Sequence, residues 1–157
     1  MSAHAIYDHA PIGSIISWSD VTPRPPERFI RNHAVWLTSN GRGRLIRKQP
    51  SRSLCNLSLS ASFTLHEANF GTGGVVAIRV HRTFSLDSTF HFSVVERPAI
   101  GLVRVFDRAG DDAVLVHFAP NLPAAKEWLS GHGYPQAVLQ EVTADEVGAA
   151  VVEGRAA

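Results

Sequence analysis

Positively charged side chains are concentrated in one stretch of this sequence, residues 24–52. The stretch contains seven arginines and one lysine, opposed there only by Glu27. Its members are Arg24, Arg28, Arg31, Arg42, Arg44, Arg47, Lys48 and Arg52. Guanidinium groups bind phosphates and carboxylates through charge-assisted, often paired hydrogen bonds. The stretch therefore predicts a surface that contacts an acidic partner, either a nucleic-acid backbone or an acidic protein.

The N-terminal and C-terminal halves of the chain have opposite charge balances. Residues 1–83 carry ten Lys and Arg against four Asp and Glu, whereas residues 84–157 carry five against ten. The two parts thus have net charges of +6 and −5, which sum to the overall +1. Opposite charges also fit attraction within one fold, or self-association in which the positive part of one copy meets the negative part of another. The charge pattern alone leaves these alternatives open.

The basic stretch lacks the signatures of modules that read bases. No helix-turn-helix, zinc-finger or RNP-like pattern is present, and Trp36 is expected to face a core rather than to stack on bases. Contact with a nucleic acid would therefore be made to its backbone. Pro23 and Pro26 form a P-x-x-P motif, but it leads directly into a predicted helix, which argues against a separable polyproline ligand.

Histidines provide a second kind of chemistry. The segments 75–84 and 88–96 alternate apolar and polar residues, and together they predict a β-hairpin with its turn at 85–87. This pairing places His81 opposite His91, with Cβ atoms about 4.5–5.5 Å apart. Arg79 shares their face. The alternative prediction is therefore an enzyme or ligand-binding pocket lined by Arg79, His81 and His91.

Signatures of catalysis and of cofactor binding are weak. The sole cysteine, Cys55, has no activating neighbours, and no GxSxG motif is present. The glycines of residues 71–74 join two predicted strands and do not open a helix, so they lack the context of a phosphate loop. A third metal ligand beside His81 and His91 is not apparent. We expect no metal and no cofactor, and a role in binding rather than in catalysis.

A lone cysteine excludes an intramolecular disulfide, which fits a reducing compartment. No apolar run approaches the roughly 20 residues that a membrane-spanning helix needs, and the first residues show no secretory leader. These features predict a cytoplasmic protein without membrane contact. A composition that leans towards Arg, Ala and Gly suggests a bacterial source.

Three helices are expected. The segment "TPRPPERF" (22–29) reads as a helix entry, with Pro26 at the first helical position and the helix running to about residue 40. Its apolar side chains, including Phe29, Ile30 and Leu37, fall on one face and predict a core-facing helix with a basic opposite face. The second helix begins after Asn121. The third begins at Thr143, where a capping box starts, and extends to about residue 154.

Short alternating segments between residues 61 and 118 are typical of an antiparallel meander. The serine-rich segment 48–63 reads as a loop or as part of a strand. We predict a single α+β domain with a mostly antiparallel sheet of about five to seven strands, flat or strongly curved, one N-terminal helix and two C-terminal helices. Its parts are a basic N-terminal unit (about 1–50), the sheet (60–120) and the C-terminal helices (121–155).

Overall fold

A computed structural model of the chain describes residues 1–148. In chain order its elements are α1 (Ala3–His9), β1 (Ile15–Ser19), α2 (Ile30–Ser39), β2 (Gly41–Gln49), β3 (Arg52–Leu54), β4 (Leu57–Leu59), β5 (Ser62–Thr72), β6 (Val75–Ser85), β7 (His91–Glu96), β8 (Val103–Phe106), β9 (Leu115–Ala119), α3 (Leu122–Ser130), β10 (Val138–Glu141) and α4 (Ala144–Gly148). No helix among these is long and apolar enough to cross a membrane.

The strands form three antiparallel sheets rather than one. The largest has five strands in the order β6-β5-β2-β1-β7, the second has three in the order β10-β8-β9, and β3 pairs only with β4. The predicted α+β class with mostly antiparallel pairing is confirmed. The predicted single sheet of five to seven strands is wrong, because strands from the C-terminal third pair with one another and form their own layer.

The five-stranded sheet is strongly curled. Its edge strands are β6 and β7, which a flat sheet would separate by about 19 Å at the usual spacing between strands. Yet Phe84 of β6 and Phe92 of β7 bring their ring centroids to 5.0 Å. The curled inner face encloses the main core, in which Phe63, Leu65 and Leu45 are fully buried.

Helix α1 covers this core and is an element that the sequence analysis did not predict. Ala3, Ile6 and Ala10 lie fully or almost fully buried against the inner face. The hydroxyl oxygen of Ser2 caps the helix by accepting a hydrogen bond from the backbone nitrogen of Ala5. With only seven residues, the helix is too short to be stable alone and depends on this packing.

The three-stranded sheet lies against the outer face of the five-stranded sheet. Ile46 of β2 packs with Phe106 and Leu115, and this cluster joins the two sheets. Helix α3 packs on the three-stranded sheet through Ala125 and Trp128. Its predicted start is confirmed, because the side-chain oxygen of Asn121 accepts a hydrogen bond from the Ala124 nitrogen at 2.9 Å.

The predicted hairpin of β6 and β7 is wrong. Strand β6 pairs with β5, and β7 pairs with β1, so the two strands lie at opposite edges of the sheet. His81 is consequently opposite His66, and His91 is opposite Ser19. Alternation in sequence identifies a strand and its faces but not its partner, and the edge of β1 was available to β7.

The prediction for the first helix is also wrong in part. The helix begins at Ile30 rather than at Pro26, and none of its residues is buried. Ile30 is 80% exposed and Leu37 is 51% exposed, so the expected core-facing side has no covering element among residues 1–148. His33 is half-buried, and its Nε2 accepts a hydrogen bond from Arg24 Nε at 3.2 Å.

Two further regions differ from expectation or match it only in part. The serine-rich segment folds as the exposed hairpin of β3 and β4, with Cys55 in its turn. The last helix begins at Ala144, directly after the predicted cap at Thr143. Its predicted extension to about residue 154 lies outside the described residues.

The distal half of the β5–β6 hairpin, residues 68–80, extends beyond the covered core, and we call it the arm. Phe70 and Ile78 are paired across the two strands and are 59% and 60% exposed. Gly73 and Gly74 form its turn with positive φ angles of 62° and 78°, a conformation that favours glycine.

Candidate functional site

A row of directly opposed residues crosses the five-stranded sheet, and all but one of its members are polar. The strand registers place His81 of β6 opposite His66 of β5, and His66 opposite Arg44 of β2. Arg44 is in turn opposite Ile15 of β1, and Ile15 is opposite Glu96 of β7. Directly opposed residues point to the same face of a sheet, so this row forms a continuous strip.

The strip lies on the outer face of the sheet. Successive side chains along a strand alternate between faces, and the neighbours Leu45, Leu65 and Ile16 point into the inner core. On the outer side, the three-stranded sheet stands opposite the strip. The two sheets leave a cleft of about 460 Å³ between them.

The cleft has a cationic end and an apolar wall. Its polar lining consists of Arg44, His66, Asn69, Arg79, His81, Glu96 and His117. Its apolar lining consists of Ile46, Leu102, Val114, Leu115, Val116 and Phe118. Two arginines and three histidines thus face a single carboxylate, and the cleft carries an excess of groups that attract anions.

Arg44 is held in place by the loop before β1. Its Nη1 donates a hydrogen bond to the Gly13 carbonyl oxygen at 2.9 Å, and its guanidinium lies 5.3 Å from the centroid of the Phe118 ring. Gly13 has a φ of 101°, and a Cβ there would come within 2.1 Å of the Phe118 ring. Glycine is therefore required at position 13 for the contact between Arg44, Phe118 and the Gly13 carbonyl group.

His66 and His81 form a neighbouring pair. Their ring centroids are 5.5 Å apart in an edge-to-face arrangement. His66 Nε2 lies 2.7 Å from Asn69 Oδ1 and donates to it, because an amide oxygen only accepts. Burial lowers the pKa of His81, and the nearby His66 and Arg79 lower it further. The neutral form of His81 is thus favoured.

The third histidine of the cleft belongs to an aromatic stack. His117 of β9 is parallel to Trp128 of α3, with ring centroids 4.4 Å apart and an interplanar angle of 1°. Trp128 also stacks on His132, at 3.9 Å and 12°. Burial lowers the pKa of His117, and His132 adds to this effect. The stack links the cleft to the outer side of α3.

Several cations of residues 24–52 are engaged within the fold. Arg24 pairs with Glu27 at 2.9 Å. Arg47 lies 3.5 Å from Asp112 and Arg52 pairs with the same carboxylate, so the hydrogen bond from Arg52, followed by weaker effects that include Arg47, holds the pKa of Asp112 below its usual range.

Lys48 is engaged with the backbone. Its Nζ donates to the Tyr7 carbonyl oxygen, and burial, the main cause, lowers its pKa.

The remaining cations of this stretch are exposed. Arg28, Arg31 and Arg42 have no carboxylate within ion-pair distance among the described residues. Arg28 lies just before α2 and Arg31 is in its first turn, whereas Arg42 is on β2. The predicted basic region is therefore divided among internal pairs, the cleft and a smaller exposed set.

The structure brings together two members of the predicted histidine pocket and separates the third. Arg79 and His81 line the cleft, whereas His91 lies on the far edge strand, opposite Ser19. The sequence analysis did not single out His66 or His117 for this pocket, because recognising them requires the β5–β6 register and the packing of the two sheets. Within residues 1–148, no group of three or more His, Cys, Asp or Glu side chains is arranged to hold a metal ion.

Comparison with known proteins identifies a family. The model of the family described as Uncharacterised conserved protein UCP036055 matches residues 1–146, and the chain belongs to this family. No curated protein and no solved structure matches the chain.

Proposed function

We propose that this protein binds a small organic anion in the cleft between its two larger sheets. The observation that carries this proposal is the row of Arg44, His66 and His81, joined by Arg79, on a face that another sheet partly encloses. Enclosure lowers the local dielectric constant and strengthens the attraction between the two guanidinium groups and an anion.

The ligand class follows from the lining. A carboxylate or phosphate would meet the guanidinium groups of Arg44 and Arg79, and an apolar portion would lie against Val114, Val116 and Phe118. A volume of about 460 Å³ falls within the usual range for small-molecule sites. The lining in the described part of the chain includes no serine, threonine or cysteine, so we propose binding rather than covalent catalysis.

Calorimetry with a matched pair of ligands tests the proposal. We expect 4-phenylbutyrate to bind and its neutral amide, which has the same shape, to bind at least about tenfold more weakly, because a charge-assisted hydrogen bond contributes roughly 1.5–3 kcal/mol. Arg79→Gln should weaken binding of the acid by about the same factor. Arg28→Gln, remote from the cleft, is the control.

Equal binding of the acid and the amide would contradict an anion site. Equal loss in both arginine variants would show that net charge, and not the cleft, is responsible.

A second candidate function, contact with an acidic macromolecule, is supported by the exposed cations Arg28, Arg31 and Arg42. Such a partner could be a nucleic-acid backbone or an acidic protein surface. Retention on a heparin column should fall as salt rises, and the double variant Arg28→Glu/Arg31→Glu should elute earlier than wild type. Arg108→Glu is the control, because Arg108 already pairs with Asp107 at 2.9 Å. Identical elution of all three proteins would rule this candidate out.

A further inference from the structure

We propose that a second copy of this chain docks on an apolar surface formed by the arm and by the exposed face of α2. This surface is separate from the cleft and from the exposed arginines. The interaction would be isologous, so the arm and α2 of each copy contribute to the same interface about a two-fold axis.

The arm presents apolar side chains that no other element within residues 1–148 covers. Phe70, Val76 and Ile78 project from the inner face of the sheet, the same face that forms the core further along the hairpin. Residues 70–78 include no charged side chain. Strand β6 is also an edge of its sheet, so one side of its backbone has no strand partner within residues 1–148. Exposed apolar edge strands are prone to pairing with another chain.

Helix α2 supplies the second part of the surface. Ile30, Ala34 and Leu37 share one side of the helix, because they are separated by three, four or seven positions. All three are exposed. The C-terminal end of α2 is tied to β6, since Arg82 donates a hydrogen bond to the Thr38 carbonyl oxygen. Arg82 follows the arm along the same strand, and its side chain lies on the same inner face.

The area and the chemistry of this surface favour a second copy as its occupant. The exposed apolar surface comes mainly from Ile30, Leu37, Phe70, Val76 and Ile78. At ordinary side-chain areas these amount to roughly 500 Å² per copy, a large part of the ~800 Å² that each partner contributes to a standard stable interface. Because residues 70–78 carry no charge, this part of the surface offers a charged partner no ion pairs, whereas an identical apolar surface matches it.

An apolar dimer of this kind differs from one formed by the oppositely charged parts of the chain. Apolar association persists or strengthens in high salt. Association through exposed charges weakens as salt screens them. The response to salt therefore identifies which surface is used.

Sedimentation equilibrium of the full chain over a range of concentrations, at low and high salt, tests the proposal. We expect wild type to be a concentration-dependent dimer in both buffers. Ile78→Lys and Ile30→Lys should each raise the dissociation constant by about thirtyfold or more, as expected for residues central to an interface. Val35→Lys is the matched control, because Val35 is 63% exposed on the opposite side of the same helix.

Circular dichroism and thermal unfolding of each variant show whether it is folded, and two variants on separate elements protect the test against the failure of one. A wild-type monomer at the highest concentration overturns the proposal and leaves the surface to a different protein. A dimer that persists in both Ile78→Lys and Ile30→Lys, or that dissociates in high salt, also overturns it. Equal weakening by Val35→Lys would show that the added charge, and not the surface, is responsible.

Discussion

The two ends of the β5–β6 hairpin have the same kind of sequence and different environments. At one end, Phe63 and Phe84 are opposite each other, buried, and in contact with Phe92. At the other end, Phe70 and Ile78 are also opposite each other on the same inner face, and both are mostly exposed.

The difference depends on what covers each end. The curl of the sheet brings β7 and β1 over the first end, and α1 closes the core beside it. The second end extends past every covering element among residues 1–148. An alternating apolar pattern therefore identifies a face that favours burial, but a second element has to supply the burial.

Truncating one phenylalanine at each end of the hairpin should give the largest difference in the free energy of unfolding. Phe63→Ala should lower the free energy of unfolding by about 3–5 kcal/mol, since it leaves a cavity in a packed core. Phe70→Ala should change it by less than about 0.5 kcal/mol in the monomer, because the side chain is already in contact with water. Urea denaturation at low protein concentration measures both. Similar losses for the two variants would show that the arm is covered.

Two histidines of the cleft should make a smaller, pH-dependent contribution to the free energy of unfolding. The pKa of His81 in β6 and that of His117 in the facing sheet are both lowered below 6.5 by burial. The unfolded chain therefore takes up protons first as the pH falls, so stability is full above pH 6.5 and declines below it. His81→Gln and His117→Gln should flatten this decline.

The anion proposed for the cleft should favour the protonated form of these histidines instead of the neutral form. A bound carboxylate favours the charged rings, so affinity for 4-phenylbutyrate should rise as the pH is lowered from 8 to 6. Calorimetry across that range measures the effect, and pH-independent affinity would exclude the histidines from binding.

The smallest change in the free energy of unfolding is expected between the two ends of the β5–β6 hairpin. Arg82 donates a hydrogen bond to Glu67 at 2.6 Å and lies 5.1 Å from the Trp18 ring centroid. Glu67→Gln should cost at most about 1 kcal/mol of unfolding free energy, because the pair is only partly buried. Glu27→Gln, in the exposed pair with Arg24, is the matched control and should cost less. A larger loss for Glu27→Gln would contradict this ranking.

Local signals in the sequence predicted the elements that depend on local interactions. The cap at Asn121 identified α3, and the alternating segments 75–84 and 88–96 correspond to β6 and β7. Arg79 and His81 were placed on one face of a strand by alternation alone, and both line the cleft.

Features that depend on distant partners could not be predicted in this way. The pairing of β7 with β1 brings His91 opposite Ser19, residues that are far apart in the chain. Helix α1 has few strong helix signals and is stabilised by the core that it covers. The apolar face of α2 was predicted to be buried because amphipathic helices usually are, and nothing in the sequence showed that residues 1–148 supply no cover for it.

Trp128 gives the protein an optical property that depends on the cleft. Its indole is stacked on both His117, which lines the cleft, and His132. A protonated imidazole in contact with an excited indole accepts an electron and quenches its emission, whereas a neutral imidazole does so weakly. We therefore expect the emission of this tryptophan to respond to the charge of both stacked histidines, of which His117 lines the cleft.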